Sequence, residues 1–98
     1  MKFFILIMGA LLLNGCVIAP SLKGNMVRMV DSQSNCKFIT AVIGSNSTGW
    51  DSADNTEGAL NDVKNKTASA GANAVRIVSV DSNVDATTII GEALNCQF

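Results

Sequence analysis

The apolar residues of the chain fall into stretches with different periods, and these periods predict its secondary structure. Apolar and β-branched residues dominate MVRMV (26–30) and CKFITAVIG (36–44), which predicts two strands joined by the turn-forming DSQSN sequence. The second strand is apolar on both of its faces. We therefore expect it to lie at the centre of a sheet and to form a hairpin with the first strand.

A helical period replaces the strand pattern after a polar loop at 44–55. From about Thr56 to Ala70 small and apolar residues share one stripe, while polar side chains face away from it. The stripe consists of Ala59, Leu60, Val63, Thr67 and Ala70. Gly71 is placed to end the helix. Because the stripe is rich in small residues, we expect the helix to lie close against a sheet.

Two further strands complete the predicted domain. NAVRIVSV (73–80) and ATTIIGEALNC (86–96) flank the turn-forming DSNVD sequence. The order is therefore β-β-α-β-β, an α+β domain in which one helix packs on a four-stranded mixed sheet. A right-handed crossover through the helix would place the second and third strands parallel, and the outer hairpins would be antiparallel. Cys36, at the start of the second strand, would then meet Cys96 near the end of the fourth.

The N-terminal stretch has an uninterrupted apolar run from Phe3 to Leu13, preceded by Lys2. This run would span only about half of a ~30 Å hydrocarbon core as a helix, and its length is typical of the apolar region of a secretory signal. The alternatives are an uncleaved membrane anchor, if the run continues to Ala19, and an ordinary secretory signal. Residues 1–15 are therefore predicted to be a cleaved signal peptide.

The end of this run resembles a lipoprotein processing site. Leu13-Asn14-Gly15-Cys16 is similar to the bacterial lipobox, in which the cysteine receives a diacylglycerol and a peptidase cleaves before it. The resemblance implies cleavage between Gly15 and Cys16 and lipidation of Cys16. Two or more acyl chains make anchoring to a membrane stable. In enteric-type lipoproteins an aspartate after the cysteine favours the inner membrane, so Val17 implies the periplasmic face of the outer membrane.

The residues after the lipobox predict a linker and then the folded domain. Residues 16–26 contain Pro, Ser, Gly and Asn without periodicity, which predicts a lipidated N-terminus and a short tether. Such a tether reaches about 35 Å when fully extended. The periplasmic domain is expected to occupy residues 27–98 and to sit close to its membrane.

Composition narrows the classes of function. The chain has a formal net charge of −1 and no cluster of Lys and Arg, so nucleic acid is not expected as a partner. Histidine and tyrosine are absent, which removes the commonest general base and the commonest nitrogen ligand for metals. We therefore predict no enzymatic activity, no cofactor and no metal site, and we identify no small-molecule substrate.

Two cysteines remain once Cys16 is assigned to lipid. A small exported domain commonly contains a disulfide, and a bond between Cys36 and Cys96 would close a loop of about 60 residues, worth about 4 kcal/mol of stability. The functional alternatives are metal binding and redox catalysis. Neither cysteine is accompanied by a CxxC partner, a histidine or a local carboxylate cluster, which favours the disulfide.

The loop before the helix contains the remaining candidate residues. Trp50, the only tryptophan, either folds back over the edge of the core or contacts a partner. Asp51, Asp54 and Glu57 either bind a cation or favour the start of the helix. Their spacing does not match an EF-hand loop, which favours the helix start.

Three separated pieces of the chain resemble a family of small, mostly uncharacterised bacterial lipoproteins. NKTASAGANAV (65–75) is similar to the helix-to-strand stretch of this family, and the same stretch occurs in the outer-membrane sensor lipoprotein of the Rcs envelope-stress phosphorelay. Cys36 ahead of VIGS (42–45), and GEA (91–93) ahead of Cys96, also fit. The resemblance covers residues 36–98 and implies a compact α+β domain bridged between the two cysteines.

The resemblance gives two expectations for function. The leading hypothesis is an outer-membrane lipoprotein whose periplasmic domain is a binding or accessory module in the cell envelope, with envelope proteins as partners. The alternative is an envelope-stress sensor of the Rcs type that signals by protein contact. That sensor has a long, Pro-rich, basic linker and a second disulfide in its globular domain, whereas this chain has a short predicted tether and one cysteine pair.

Overall fold

The computed structural model describes residues 17–32 and 35–98. The predicted signal peptide, the cleavage site at Gly15 and the lipidation site at Cys16 lie outside the described residues. The elements are a 3-10 turn (Gly24–Met26), strand β1 (Arg28–Met29), strand β2 (Cys36–Asn46), helix α1 (Ser52–Ser69), strand β3 (Ala74–Ser82) and strand β4 (Thr87–Cys96). The predicted fold class is confirmed, because one helix packs on a four-stranded mixed sheet that contains one disulfide.

The order of the strands differs from the predicted one. The sheet runs β1-β3-β4-β2, so β2 lies at an edge and not at the centre. Strands β3 and β4 form the expected antiparallel hairpin, but β1 pairs with β3 in parallel and the predicted β1–β2 hairpin is wrong. Strand β4 lies between β2 and β3 and is antiparallel to both, so β2 and β3 run parallel to each other, as expected. The reason is length, since β1 offers only two residues whereas β2 pairs with β4 along its whole length.

The core lies between α1 and one face of the sheet. Its buried residues are Val27, Val42, Ala59, Val63, Ala72, Val75, Ile89 and Ala93. Of the predicted stripe, Ala59, Val63 and Thr67 are buried, but Ala70 is exposed because the helix has already ended at Ser69. The expected close approach is confirmed at Gly44, where an added Cβ would lie 2.5 Å from the Ala59 carbonyl oxygen.

Both ends of α1 are fixed by local hydrogen bonds. At the start, the Asp51 side chain accepts a hydrogen bond of 2.9 Å from the Asp54 N–H, which satisfies one of the free donors of the first turn. At the end, Gly71 adopts a positive φ of 79°. The Gly71 and Ala72 N–H groups then donate to the carbonyls of Ala68 and Thr67, as in a Schellman motif. The helix begins about four residues earlier than predicted because Asp51 provides this cap.

The opposite side of the sheet, which we call the open face, is not covered by the helix. Near the disulfide it holds a small buried cluster of Ala74, Leu94 and Cys96. Farther along, Ile43 on β2 and Ile90 on β4 are directly paired and remain exposed, and Phe38 on β2 is exposed as well. The sequence of β2 is therefore apolar on both faces because one face packs on α1 and the other carries exposed apolar residues.

The free edge of β2 is partly occupied by side chains of α1. Lys66 donates a hydrogen bond of 2.7 Å to the Ile43 carbonyl oxygen, and the Asp62 carboxylate accepts one of 3.1 Å from the Ser45 N–H. Asp62 and Lys66 also form an ion pair of 3.2 Å one helical turn apart. Two helix residues thus bind backbone groups that the sheet leaves unpaired.

Replacing Thr67 with valine is expected to raise the free energy of unfolding by about 1 kcal/mol. Thr67 is fully buried, and its hydroxyl has no hydrogen-bond partner among the described residues. Valine keeps the shape and the β-branched side chain while removing the unsatisfied hydroxyl. Urea denaturation followed by circular dichroism would measure the change. Thr56→Val is the matched control and should destabilise the protein, because the Thr56 hydroxyl donates to the Ser52 carbonyl at 2.7 Å.

Candidate functional site

The two cysteines that were predicted to pair are bonded to each other. Cys36 and Cys96 are cross-strand partners at the end of the β2–β4 ladder, and their Cα atoms lie 3.9 Å apart. The Asn73 side chain adds to this end of the sheet, since its amide donates to the Cys96 carbonyl and its carbonyl accepts from the Cys96 N–H, each at 2.8 Å. The two cysteines therefore form a structural disulfide that joins β2 and β4, as expected from the sequence.

Two of the acidic residues near the start of the helix, Asp51 and Asp54, accept hydrogen bonds from backbone N–H groups there. Besides the Asp51 cap, the Asp54 carboxylate accepts a hydrogen bond of 3.3 Å from the Trp50 N–H, and Glu57 is exposed. Within residues 17–32 and 35–98, no group of three or more cysteine and acidic side chains could hold a metal ion. The favoured interpretation of helix-start electrostatics is confirmed for Asp51, which caps the first turn.

Trp50 does not fold back over the core. Its side chain is 77% exposed, although the backbone around it is held by the hydrogen bond to Asp54 and by one of 2.8 Å from the Gly49 N–H to Asn55. The packing interpretation of this residue is therefore wrong. An aromatic side chain fixed by its backbone and open to solvent is available for contact with another molecule.

Two buried asparagines join several segments at this end of the domain. Asn55 is fully buried and accepts hydrogen bonds from the Asn46 side chain at 3.0 Å and from Gly49, while its own amide donates to the Val84 carbonyl at 3.3 Å. Asn46 also accepts a hydrogen bond of 3.2 Å from the Ile18 N–H. We call this set the amide corner: Asn46, Asn55 and the backbone of Ile18, Gly49 and Val84.

The residues after Val17 are bound to the helix and do not form a free tether. In this segment, residues 18–24, which we call the strap, Asn61 donates to the Ile18 carbonyl at 2.9 Å and Asn65 donates to the Ala19 carbonyl at 3.0 Å. Asn65 also accepts a hydrogen bond of 2.7 Å from the Ser21 N–H. The strap lacks periodicity because its backbone is bound by side-chain amides and not by a strand or a helix.

The burial of the two asparagines of the amide corner could have been predicted from the sequence, although a pattern of apolar residues alone does not include them. Asn46 continues the buried alternation of Val42 and Gly44 on β2, and Asn55 lies four residues before Ala59 on the buried stripe of α1. Extending both periods by one step would have predicted two buried amides. Asn61 and Asn65 carry no such signal, since they lie on the side of α1 that an amphipathic pattern assigns to solvent.

The open face presents both apolar and charged side chains to solvent. An ion pair between Arg76 and Glu92 crosses its centre, with the Arg76 Nε 2.8 Å from the Glu92 carboxylate. Two shallow depressions lie elsewhere, where the strap meets the end of α1; Lys23 and Ala68 line both, and Ser21 and Ser69 line one of them. In the part of the chain that is described, no helix is long and apolar enough to span a membrane.

The comparisons with known proteins identify a family for this fold. No curated protein and no solved structure matches the chain. Residues 19–96 match a protein family described as a domain of unknown function (DUF4156). The match begins within the strap and ends at Cys96, so it includes the two buried asparagines, the whole sheet and the disulfide. The chain belongs to the DUF4156 family.

Proposed function

We propose that this protein is a lipoprotein anchored at the periplasmic face of the outer membrane, and that its domain is a binding or accessory module of the cell envelope. One observation carries the proposal. Ile18, two residues after Cys16 in the LNGC sequence, is hydrogen-bonded to the side chains of Asn46 and Asn61. Cleavage before Cys16 would therefore leave both of these hydrogen bonds in place. The disulfide supports the same compartment, because disulfides persist in oxidising environments.

The open face supports binding to another protein. Exposed Phe38, Ile43 and Ile90 lie on the same side of the sheet as the Arg76–Glu92 ion pair. Contiguous exposed apolar residues with a charged pair among them are typical of surfaces that contact proteins. The absence of histidine from the sequence is a further reason to prefer a binding role to catalysis.

The strap favours the accessory module over the alternative of an Rcs-type sensor. Because Ile18 is bound to Asn46 and Asn61, only Cys16 and Val17 remain between the proposed lipid and the folded domain. Two residues reach at most about 7 Å. A sensor that must contact a protein at the inner membrane would need a far longer linker.

Intact mass of the protein from fractionated membranes tests the anchor. We expect the chain to begin at Cys16, to carry the added mass of acyl chains and to gain about two daltons when the single disulfide is reduced. The Cys16→Ser variant should lose the acyl mass and keep the mass change on reduction. A full-length, unmodified chain that is unaffected by this substitution would contradict the proposal.

Partner capture tests the binding role and its alternative. Crosslinking at the outer membrane should recover an envelope protein with the wild type and lose it with Ile43→Lys, which places a charge among the exposed apolar residues of the open face. Ser47→Lys adds the same charge in an exposed loop and should leave capture unchanged. A deletion strain with an envelope-stress reporter separates the two functions, since loss of an accessory module raises basal stress whereas loss of a sensor abolishes induction.

A further inference from the structure

Two exposed apolar side chains lie at the amide corner, beside Ile18, which follows the proposed lipidation site by two residues. Trp50 is 77% exposed and Val84 is 73% exposed. The hydrogen bonds of Asn55 to Gly49 and to Val84 place both residues beside Asn46, which binds Ile18. The described chain thus emerges, through Val17, at the same end of the domain as these two exposed side chains.

These two side chains are presented by fixed backbone. The Trp50 N–H is bound to Asp54, and the turn that contains Val84 is closed by Asn83, whose side chain accepts hydrogen bonds of 2.9 Å from the N–H groups of Asp85 and Ala86. In the isolated domain these two apolar side chains remain in contact with water, so they do not contribute hydrophobic stabilisation to the fold. They could be removed from water only by contact with another surface.

The chain outside the described residues indicates which surface that is. Sixteen residues precede Val17, and they include the apolar run from Phe3 to Leu13 and the proposed lipidation site at Cys16. Since Cys16 and Val17 together reach at most about 7 Å, an acyl chain on Cys16 would bring the amide corner to the headgroup layer of the bilayer. Tryptophan is enriched in this layer because its ring is apolar and its N–H remains hydrated.

We propose that the amide corner is a membrane-contact site, with Trp50 in the headgroup layer of a lipid surface and Val84 beside it. This inference rests on the proposed lipid anchor and adds an orientation, with the corner towards the bilayer and the disulfide end away from it. Asp51, Asp54 and Asp85 flank the two side chains. The site therefore suits zwitterionic phospholipids, and a surface rich in anionic phospholipids would repel it.

The fluorescence of Trp50 tests the site directly, because the sequence contains no other tryptophan. The lipidated full chain would be placed in phosphatidylcholine vesicles that contain brominated acyl chains. We expect Trp50 emission to shift to the blue, to be quenched by the bromines and to be protected from acrylamide in water. Adding anionic phosphatidylglycerol should reduce both the shift and the quenching.

A variant that moves the tryptophan provides the control. Strand β2 has eleven residues and separates the amide corner from the disulfide end by about 33 Å. In Trp50→Phe/Phe98→Trp the single tryptophan follows Cys96 at that far end, so its emission should not respond to brominated lipid. Equal quenching in both proteins would overturn the proposed orientation.

The outcomes also separate this inference from the proposed function. A chain that floats with the vesicles while Trp50 stays accessible to acrylamide would overturn the contact site and leave the lipid anchor standing. A chain that does not float with the vesicles would overturn the anchor and the contact site together. Floating, blue-shifted and bromine-quenched protein supports both.

Discussion

Replacing Cys36 and Cys96 together with serine is expected to lower the free energy of unfolding by about 4 kcal/mol. The bond closes a loop with a sequence separation of 60 residues, so its loss releases the unfolded chain from a long-range constraint. The domain is small and its core contains mainly valine and alanine, so this is a large share of its stability. Urea denaturation of the double variant and of the wild type would measure the difference.

Reduction of the wild type supplies the matched comparison. Under reducing conditions the wild type should fall to the stability of the double variant, whereas Cys16→Ser should behave as the wild type does with its bond intact. A loss smaller than about 1 kcal/mol would show that the β2–β4 ladder and the Asn73 hydrogen bonds already hold this end of the sheet together.

Replacing Asn55 with alanine is expected to cost about 3 kcal/mol. The fully buried side chain makes three hydrogen bonds, two as acceptor and one as donor, and alanine leaves the Asn46 amide, the Gly49 N–H and the Val84 carbonyl without it. A planar amide is suited to this site because it accepts and donates in one group. The change would be measured by urea denaturation and by hydrogen exchange at Gly49.

The effect should be specific to the amide corner. Asn61→Ala removes a single hydrogen bond to the strap and is expected to cost about 1 kcal/mol. Hydrogen exchange should then increase in the strap without a change at Gly49. If Asn55→Ala is no more harmful than Asn61→Ala, water must replace the lost partners, and the corner would not be the rigid support that presents Trp50 and Val84.

Local elements of the fold could be predicted from the sequence, but the order of the strands could not. The 3.6-residue period placed α1, and the apolar runs placed β2, β3 and β4, because each of these patterns reflects contacts on one face. Which strand pairs with which depends on the length of the ladders. Strand β1 is only two residues long, and no local pattern shows that it pairs with β3 instead of β2.

Part of the candidate site could likewise be predicted from the sequence, and the rest could not. The pairing of Cys36 with Cys96 follows from the count of cysteines and from their places at the strand ends, and the structure confirms it. The exposure of Trp50 and the binding of the strap depend on Asn55, Asn61 and Asn65, whose amides bind backbone far away in the sequence. Lipidation of Cys16 remains a prediction from the lipobox resemblance.

The contacts of Asp62 and Lys66 with the edge of β2 have a consequence for how copies of the protein coexist. An exposed edge strand of eleven residues is a template for strand addition and therefore for aggregation. Anchoring would confine the molecules to two dimensions and raise their encounter rate. Because Lys66 binds the Ile43 carbonyl and Asp62 binds the Ser45 N–H, an incoming strand must first displace an ion pair. The helix that completes the core thereby also protects the β2 edge of the sheet from strand addition.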